Sequence, residues 1–151
     1  MKKSEIKILF ESKDVVIVEK PAGFLSVPST MGRKETRPIV GILLKEKYGQ
    51  ILPVHRLDFE VAGILVFARN ESSHRTLQKL WESGGVIKTY KALSQSQDFS
   101  HWPDKVAGAE KYFRLETPQG SWESRIVQGK KRSFVGPHGQ HSQTNYEFIR
   151  E

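Results

Sequence analysis

The chain contains no cysteine. That absence removes disulfides, thiolate catalysis and cysteine-ligated zinc together, and it suits a reducing compartment. No stretch of about twenty apolar residues occurs, so no membrane-spanning helix is expected. The Lys2-Lys3 start runs into Ser4-Glu5 rather than into an apolar segment. A secretory leader is therefore not expected, and the cytoplasm is the expected location. Glycine-rich phosphate-binding loops of the P-loop or dinucleotide type are missing, as are internal repeats and low-complexity tracts. Metal ligation has little support: His138 and His141 lie among Gly136, Pro137 and Gly139, where no carboxylate or thiol completes a set. Asp98, Ser100 and His101 are the residue types of a hydrolase triad, but near neighbours in one polar loop cannot be arranged as nucleophile, base and orienter. Asp58 and Glu60 sit on one short loop, whereas glycoside hydrolysis needs carboxylates on opposite sides of a bond.

What the chain does have is positive charge: 24 Lys and Arg against 17 Asp and Glu, a net +7. Such a balance favours a polyanionic partner such as RNA through phosphate neutralisation, although a merely basic protein has the same composition. The one tight basic run is Lys130-Lys131-Arg132. The length of 151 residues suffices for one hydrophobic core, so a single domain spanning 1–151 is expected.

Apolar runs predict strands at Ile6–Phe10 and Val15–Glu19, the second ended by Pro21 and Gly23. A loop follows from Val27 to Lys34. Thr36 is then placed to cap a helix with Pro38 in its first turn, with Ile39, Val40, Leu43, Leu44 and Tyr48 as its apolar face and Gly49 as its stop. Pro53–Glu60 reads as loop and Gly63–Arg69 as a central strand covered on both faces. Asn70 is a good N-cap, and Leu77, Leu80 and Trp81 fall at helical spacing before Gly84-Gly85. Trp81 reads as core. Val86–Leu93 is expected as a strand and Ser94–Gly108, with Trp102, as a polar connection. Further strands are expected at Ser121–Gln128 and Gln143–Arg150, separated by the basic, glycine-rich segment Gly129–Gly139.

Within this outline, Pro53-Val54-His55-Arg56-Leu57-Asp58 leads into the apolar run Ile64–Ala68 and so sets an Arg and a carboxylate beside a buried strand. Charges beside a core are costly unless solvated, paired or used, which makes Arg56 and Asp58 the first candidates for chemistry. On spacing alone, a structural salt bridge between them is the commoner arrangement. His55 reads as a loop-supporting hydrogen-bonding group, and Tyr90 as an ordinary strand tyrosine.

The string from His55 through Arg56-Leu57-Asp58-Phe59-Glu60-Val61-Ala62-Gly63 to Ala68 resembles the signature loop and strand of the RluA-type pseudouridine synthases. Upstream, Asp14–Gly23 is similar to that family's early strand and Lys-Pro turn, with Val27-Pro28 following. Downstream, Lys88-Thr89-Tyr90-Lys91-Ala92 resembles the strand carrying the family's active-site tyrosine. These ordered blocks span residues 14 to 92, beyond which the resemblance is weak. It implies an α+β catalytic domain, a mixed and mainly antiparallel sheet with flanking helices. It further implies isomerisation of uridine to pseudouridine in ribosomal or transfer RNA, without cofactor or metal. Asp58 then takes the catalytic role, Arg56 the place of an extruded base, and Tyr90 the face of the target uracil. His55, Leu57 and Lys20 join Arg56 and Tyr90 as RNA- or substrate-binding candidates, Lys20 either to help hold the site or to touch phosphate, with a solvated lysine as the plain alternative.

Two departures stand out. The family commonly has Thr-Ser before the glycine, where this chain has Val61-Ala62, and its C-terminal Gly-Arg-x-His-Gln-Ile-Arg-like motif does not occur. The chain therefore resembles the first part of the catalytic domain, with no separate S4-type domain. A non-catalytic RNA-binding module is the alternative that these departures favour.

Overall fold

The computed structural model describes residues 6–29, 34–93, 119–129 and 133–149. They fall into two compact units, Met1–Tyr90 and Lys91–Glu151. The first unit is α+β. Its elements are β1 (Lys7–Glu11), β2 (Val15–Lys20), α1 (Val40–Tyr48), β3 (Leu52–Pro53), β4 (Gly63–Ala68) and α2 (Glu71–Glu82). The four strands pair antiparallel in the order β1-β2-β4-β3.

The turn between β1 and β2 is set by Ser12, whose hydroxyl accepts from the amides of Asp14 and Val15, both at 3.1 Å. Alternation then decides what is buried. Val16 and Val18 on β2 lie opposite Phe67 and Leu65 on β4; all four are fully buried, and they cluster with Val40 and Leu44 of α1 and Leu57 of the β3–β4 loop. Each large apolar side chain so buried stabilises by about 1.5–3 kcal/mol. Pro53 lies on an edge strand, where its missing N–H costs no ladder bond.

The start of α1 differs from expectation. Thr36 does not cap it; the helix begins at Val40, and Ile39 at the cap position has no side-chain bond. The reason is a neighbouring segment that supplies backbone acceptors in place of a side chain. Leu25 and Ile39 form a parallel bridge, and the carbonyls of Leu25 and Ser26 accept from the Val40 and Gly41 amides at 2.9 and 3.2 Å. Gly49 ends the helix at φ +74°, as expected of a left-handed position. On α2, Asn70 caps as expected, its side-chain oxygen accepting from the Ser73 amide at 2.8 Å. None of the α2 residues is fully buried, so Trp81 is half-exposed rather than core.

The strand expected at Val86–Leu93 is not formed. A strand exists through its ladder, and among the described residues none pairs with this segment; Ile87 and Leu93 are each 94% exposed. In the second unit, β5 (Gln119–Gln128), β6 (Ser133–Val135) and β7 (Gln140–Glu147) form an antiparallel sheet in the order β6-β5-β7. Trp122 and Tyr146 stack across it with centroids 4.6 Å apart. The segment expected only to separate two strands thus contributes β6, and β7 begins earlier than Gln143. Gly139 permits this, since a Cβ there would lie 2.5 Å from the Ile126 backbone. Ser94–Gly108, Trp102 and Lys130–Arg132 lie outside the described residues. Among the described residues, no helix is long and apolar enough to cross a membrane.

Candidate active site

The loop from Val54 to Ala62 joins β3 to β4, and its backbone is tied from two directions. From the β2 side, the buried hydroxyl of Ser26 accepts from the Leu57 amide at 3.0 Å and donates to the Leu57 carbonyl at 2.8 Å. Two residues on, the Phe59 carbonyl accepts from the Gly23 amide at 2.8 Å and from the Lys20 ammonium at 3.4 Å. That ammonium also donates to the carbonyls of Phe24 at 2.7 Å and Pro21 at 3.1 Å. Burial pushes the Lys20 pKa down, and the charges of Glu60 and then Asp58 pull it partly back. The turn is closed by the Val61 amide donating to the Asp58 carbonyl at 3.2 Å.

From the other side, α2 presents His74, Gln78 and Trp81 on one face, at i, i+4 and i+7. His74 Nε2 donates to the Pro53 carbonyl at 3.0 Å and Gln78 Nε2 to the Val54 carbonyl at 3.2 Å. Trp81 stacks on His55, with centroids 4.9 Å apart and planes 18° from parallel. His55 Nε2 in turn accepts from the Val66 amide of β4 at 3.2 Å. Burial lowers the His55 pKa, opposed by a hydrogen bond to the Arg56 backbone and reinforced by the Lys88 charge. The neutral imidazole is the form that can accept at Nε2.

These ties leave Arg56 and Asp58 exposed while Leu57 between them is buried. Among the described residues, neither charge enters an ion pair, so the structural salt bridge that spacing allowed is not formed. The neighbouring Phe59 ring lies under the Arg37 guanidinium, 5.0 Å from its centroid. Arg37 is held by Glu35, whose carboxyl it keeps at a pKa of about 2, with the Ser29 hydroxyl as second cause.

Of the substrate-side candidates, Lys20 and Leu57 are buried. Lys20 donates to three carbonyls, so of its two expected roles, holding the site and touching phosphate, its placement fits the first. Leu57 is 9% exposed, with its side chain in the core. His55 is half-buried and supports the loop. Tyr90 is 61% exposed, and among the described residues no hydrogen bond or ring contact joins it to the Asp58 loop. Ser26, His74, Gln78 and Arg37 were not foreseen. The spacing of His74, Gln78 and Trp81 was a readable signal; Ser26, one small polar residue in a loop, carried none. Among the described residues, no three His, Asp or Glu side chains converge as a metal set.

The sequence profile described as RNA pseudouridylate synthase matches residues 14–151, so the likeness extends well past residue 92. The dual-specificity RNA pseudouridine synthase RluA of Vibrio vulnificus is 36% identical over 86 residues, covering 57% of this chain and 34% of that protein. An uncharacterized RNA pseudouridine synthase of Aquifex aeolicus is 31% identical over 149 residues, covering 93% of this chain and 42% of its own. The chain thus spans less than half the length of these relatives. Among solved structures, human RNA Pseudouridylate Synthase Domain Containing 4 superposes with a TM-score of 0.55 at 21% identity, covering 93% of this chain and 52% of that one. That likeness is one of fold.

Proposed function

Since the chain belongs to the RNA pseudouridylate synthase family, we propose that it isomerises uridine to pseudouridine in ribosomal or transfer RNA, with Asp58 as the catalytic carboxylate. One observation carries the residue assignment: an exposed carboxylate, in no ion pair among the described residues, on a loop whose backbone is fixed on both sides of it. Such a group is free to meet a substrate without giving up a partner, and it is held still while doing so.

The reaction breaks the bond between uracil N1 and ribose C1′ and joins C5 to C1′. C5 gives up a proton and N1 gains one, so no oxidant, reductant or external group is consumed. A carboxylate serves this chemistry either by attacking the nucleoside or by taking a proton from the ribose, and Asp58 is suited to both. Reaching a base in folded RNA means unstacking it, at a cost of a few kcal/mol. The exposed guanidinium of Arg56, two residues from the carboxylate, can fill the vacated stack and contact phosphate. Tyr90, exposed with its ring free to stack, is the candidate for the uracil face. The cytoplasm is the proposed compartment, consistent with a chain that has no cysteine to oxidise.

The test is pseudouridine content, by mass spectrometry after chemical tagging, in unmodified RNA incubated with the chain and its variants. Asp58→Asn is expected to lower turnover by about a thousandfold or more with RNA affinity nearly unchanged. Arg56→Ala is expected to weaken both and to reduce the salt slope of binding by about one. Full activity in Asp58→Asn would remove Asp58 from the catalytic role. RNA binding without any product would leave a binding module.

A further inference from the structure

Behind the Asp58 loop lies a buried hydroxyl that the reaction does not touch. Ser26 is 3% exposed, and its hydroxyl both accepts from and donates to the main chain of Leu57, the residue between Arg56 and Asp58. The partners are 31 residues apart in sequence, so the contact is a tertiary one. A hydroxyl has the donor and acceptor capacity to serve both groups at once, and a thiol or methyl does not serve them equally.

Ser26 is itself immobilised. Its carbonyl accepts from the Gly41 amide at 3.2 Å, while neighbouring Leu25 donates to the Pro38 carbonyl and accepts from the Val40 amide, both at 2.9 Å. A Cβ on Gly41 would come to 3.2 Å from the Ser26 carbonyl oxygen, so the helix sits close against this segment. The first turn of α1, anchored in the core through Val40 and Leu44, is thereby connected through Leu25-Ser26 to Leu57. Leu57 is doubly held, by its buried side chain and by both of its main-chain polar groups.

We propose that Ser26 is a positioning residue for Asp58: its hydroxyl fixes the Leu57 main chain and so sets where the next carboxylate points. The inference rests on Asp58 being the catalytic carboxylate. Because its α-carbon is one peptide from a doubly bonded residue, the carboxylate has mainly its own side-chain torsions left to vary. Loss of the hydroxyl frees the backbone behind it as well, which misaligns the reacting group and spares the exposed surface that binds RNA.

Ser26→Ala removes the hydroxyl, and Ser26→Thr restores it. Two readouts apply to the full chain: residue-resolved amide hydrogen exchange, and turnover on uridine-containing RNA. In Ser26→Ala, exchange at Leu57 is expected to speed by about tenfold or more relative to Val18 and Leu65, since its acceptor is gone. The value of kcat should fall by about tenfold or more at nearly constant KM, and Ser26→Thr should recover most of both. Unchanged exchange at Leu57, or exchange that quickens equally at Val18 and Leu65, would overturn the proposal. So would an unchanged kcat in Ser26→Ala alongside a loss of turnover in Asp58→Asn. Turnover that survives Asp58→Asn would instead strike the assignment of Asp58, and the exchange result would still report whether Ser26 holds the loop.

Discussion

His55 shows how one side chain can carry a pH dependence for the whole site. Its Nε2 accepts from the Val66 amide, an arrangement that protonation of that nitrogen breaks, and burial lowers its pKa below 6.5. In the unfolded chain the imidazole takes up its proton at about the ordinary value near 6.5, before the folded form does. Over that interval the unfolded state binds more protons, so stability falls as the pH falls. The contribution is fully present above 6.5 and is lost as pH drops toward the lower folded value. Urea midpoints at pH 7.5 and 5.5 should therefore differ more in the wild type than in His55→Gln; equal differences would show that His55 is not the group responsible. Lys20 makes a related point with a second cationic group. From sequence a lysine before Pro21 fits holding the site and touching phosphate equally, and its ammonium is spent on carbonyls.

Among elements, α2 links the sheet to the loop. Asn70 accepts from the Ser73 amide and donates to Asp14 Oδ1 at 2.9 Å, so the helix start is tied to the β1–β2 turn as well as capped. Asn70→Ala is expected to cost about 1–2 kcal/mol, read as a lower urea midpoint at unchanged m, with a further loosening of the His74 and Gln78 contacts. A change within about 0.3 kcal/mol would mean that the cap is replaced by water. This element was legible in the sequence because its signals are local: a capping residue, helical spacing and a glycine stop. So were β2 and β4, as apolar runs of strand length. The start of α1 was not, since the acceptors that satisfy Val40 and Gly41 come from Leu25 and Ser26, on a segment with no pattern of its own. Val86–Leu93 has the composition of a strand, but composition does not supply a ladder. The site divides in the same way. Asp58 and Arg56 stood out as charges beside a core, while Ser26 could be found only from coordinates.

At the scale of the molecule, the core and the loop are one construction. Phe67 is fully buried against Val16 across the sheet, lies near Gly41 of α1 and shares its cluster with Leu57. Phe67→Ala is expected to cost about 3–5 kcal/mol, a large part of the roughly 5–15 kcal/mol typical of a whole domain. Chemical denaturation followed by circular dichroism checks this; a loss below about 1 kcal/mol would mean that the core closes over the gap. The net charge of +7 acts at the same scale, favouring association with a polyanion by an amount that salt should erode. The stack of Trp81 on His55 gives the protein an optical gauge of its own. Indole emission depends on what lies against the ring, and this ring lies against the residue next to Arg56. A ligand that displaces the loop alters that contact, so intrinsic fluorescence would register the event with no dye attached, against the background of the two other tryptophans among the three in the chain.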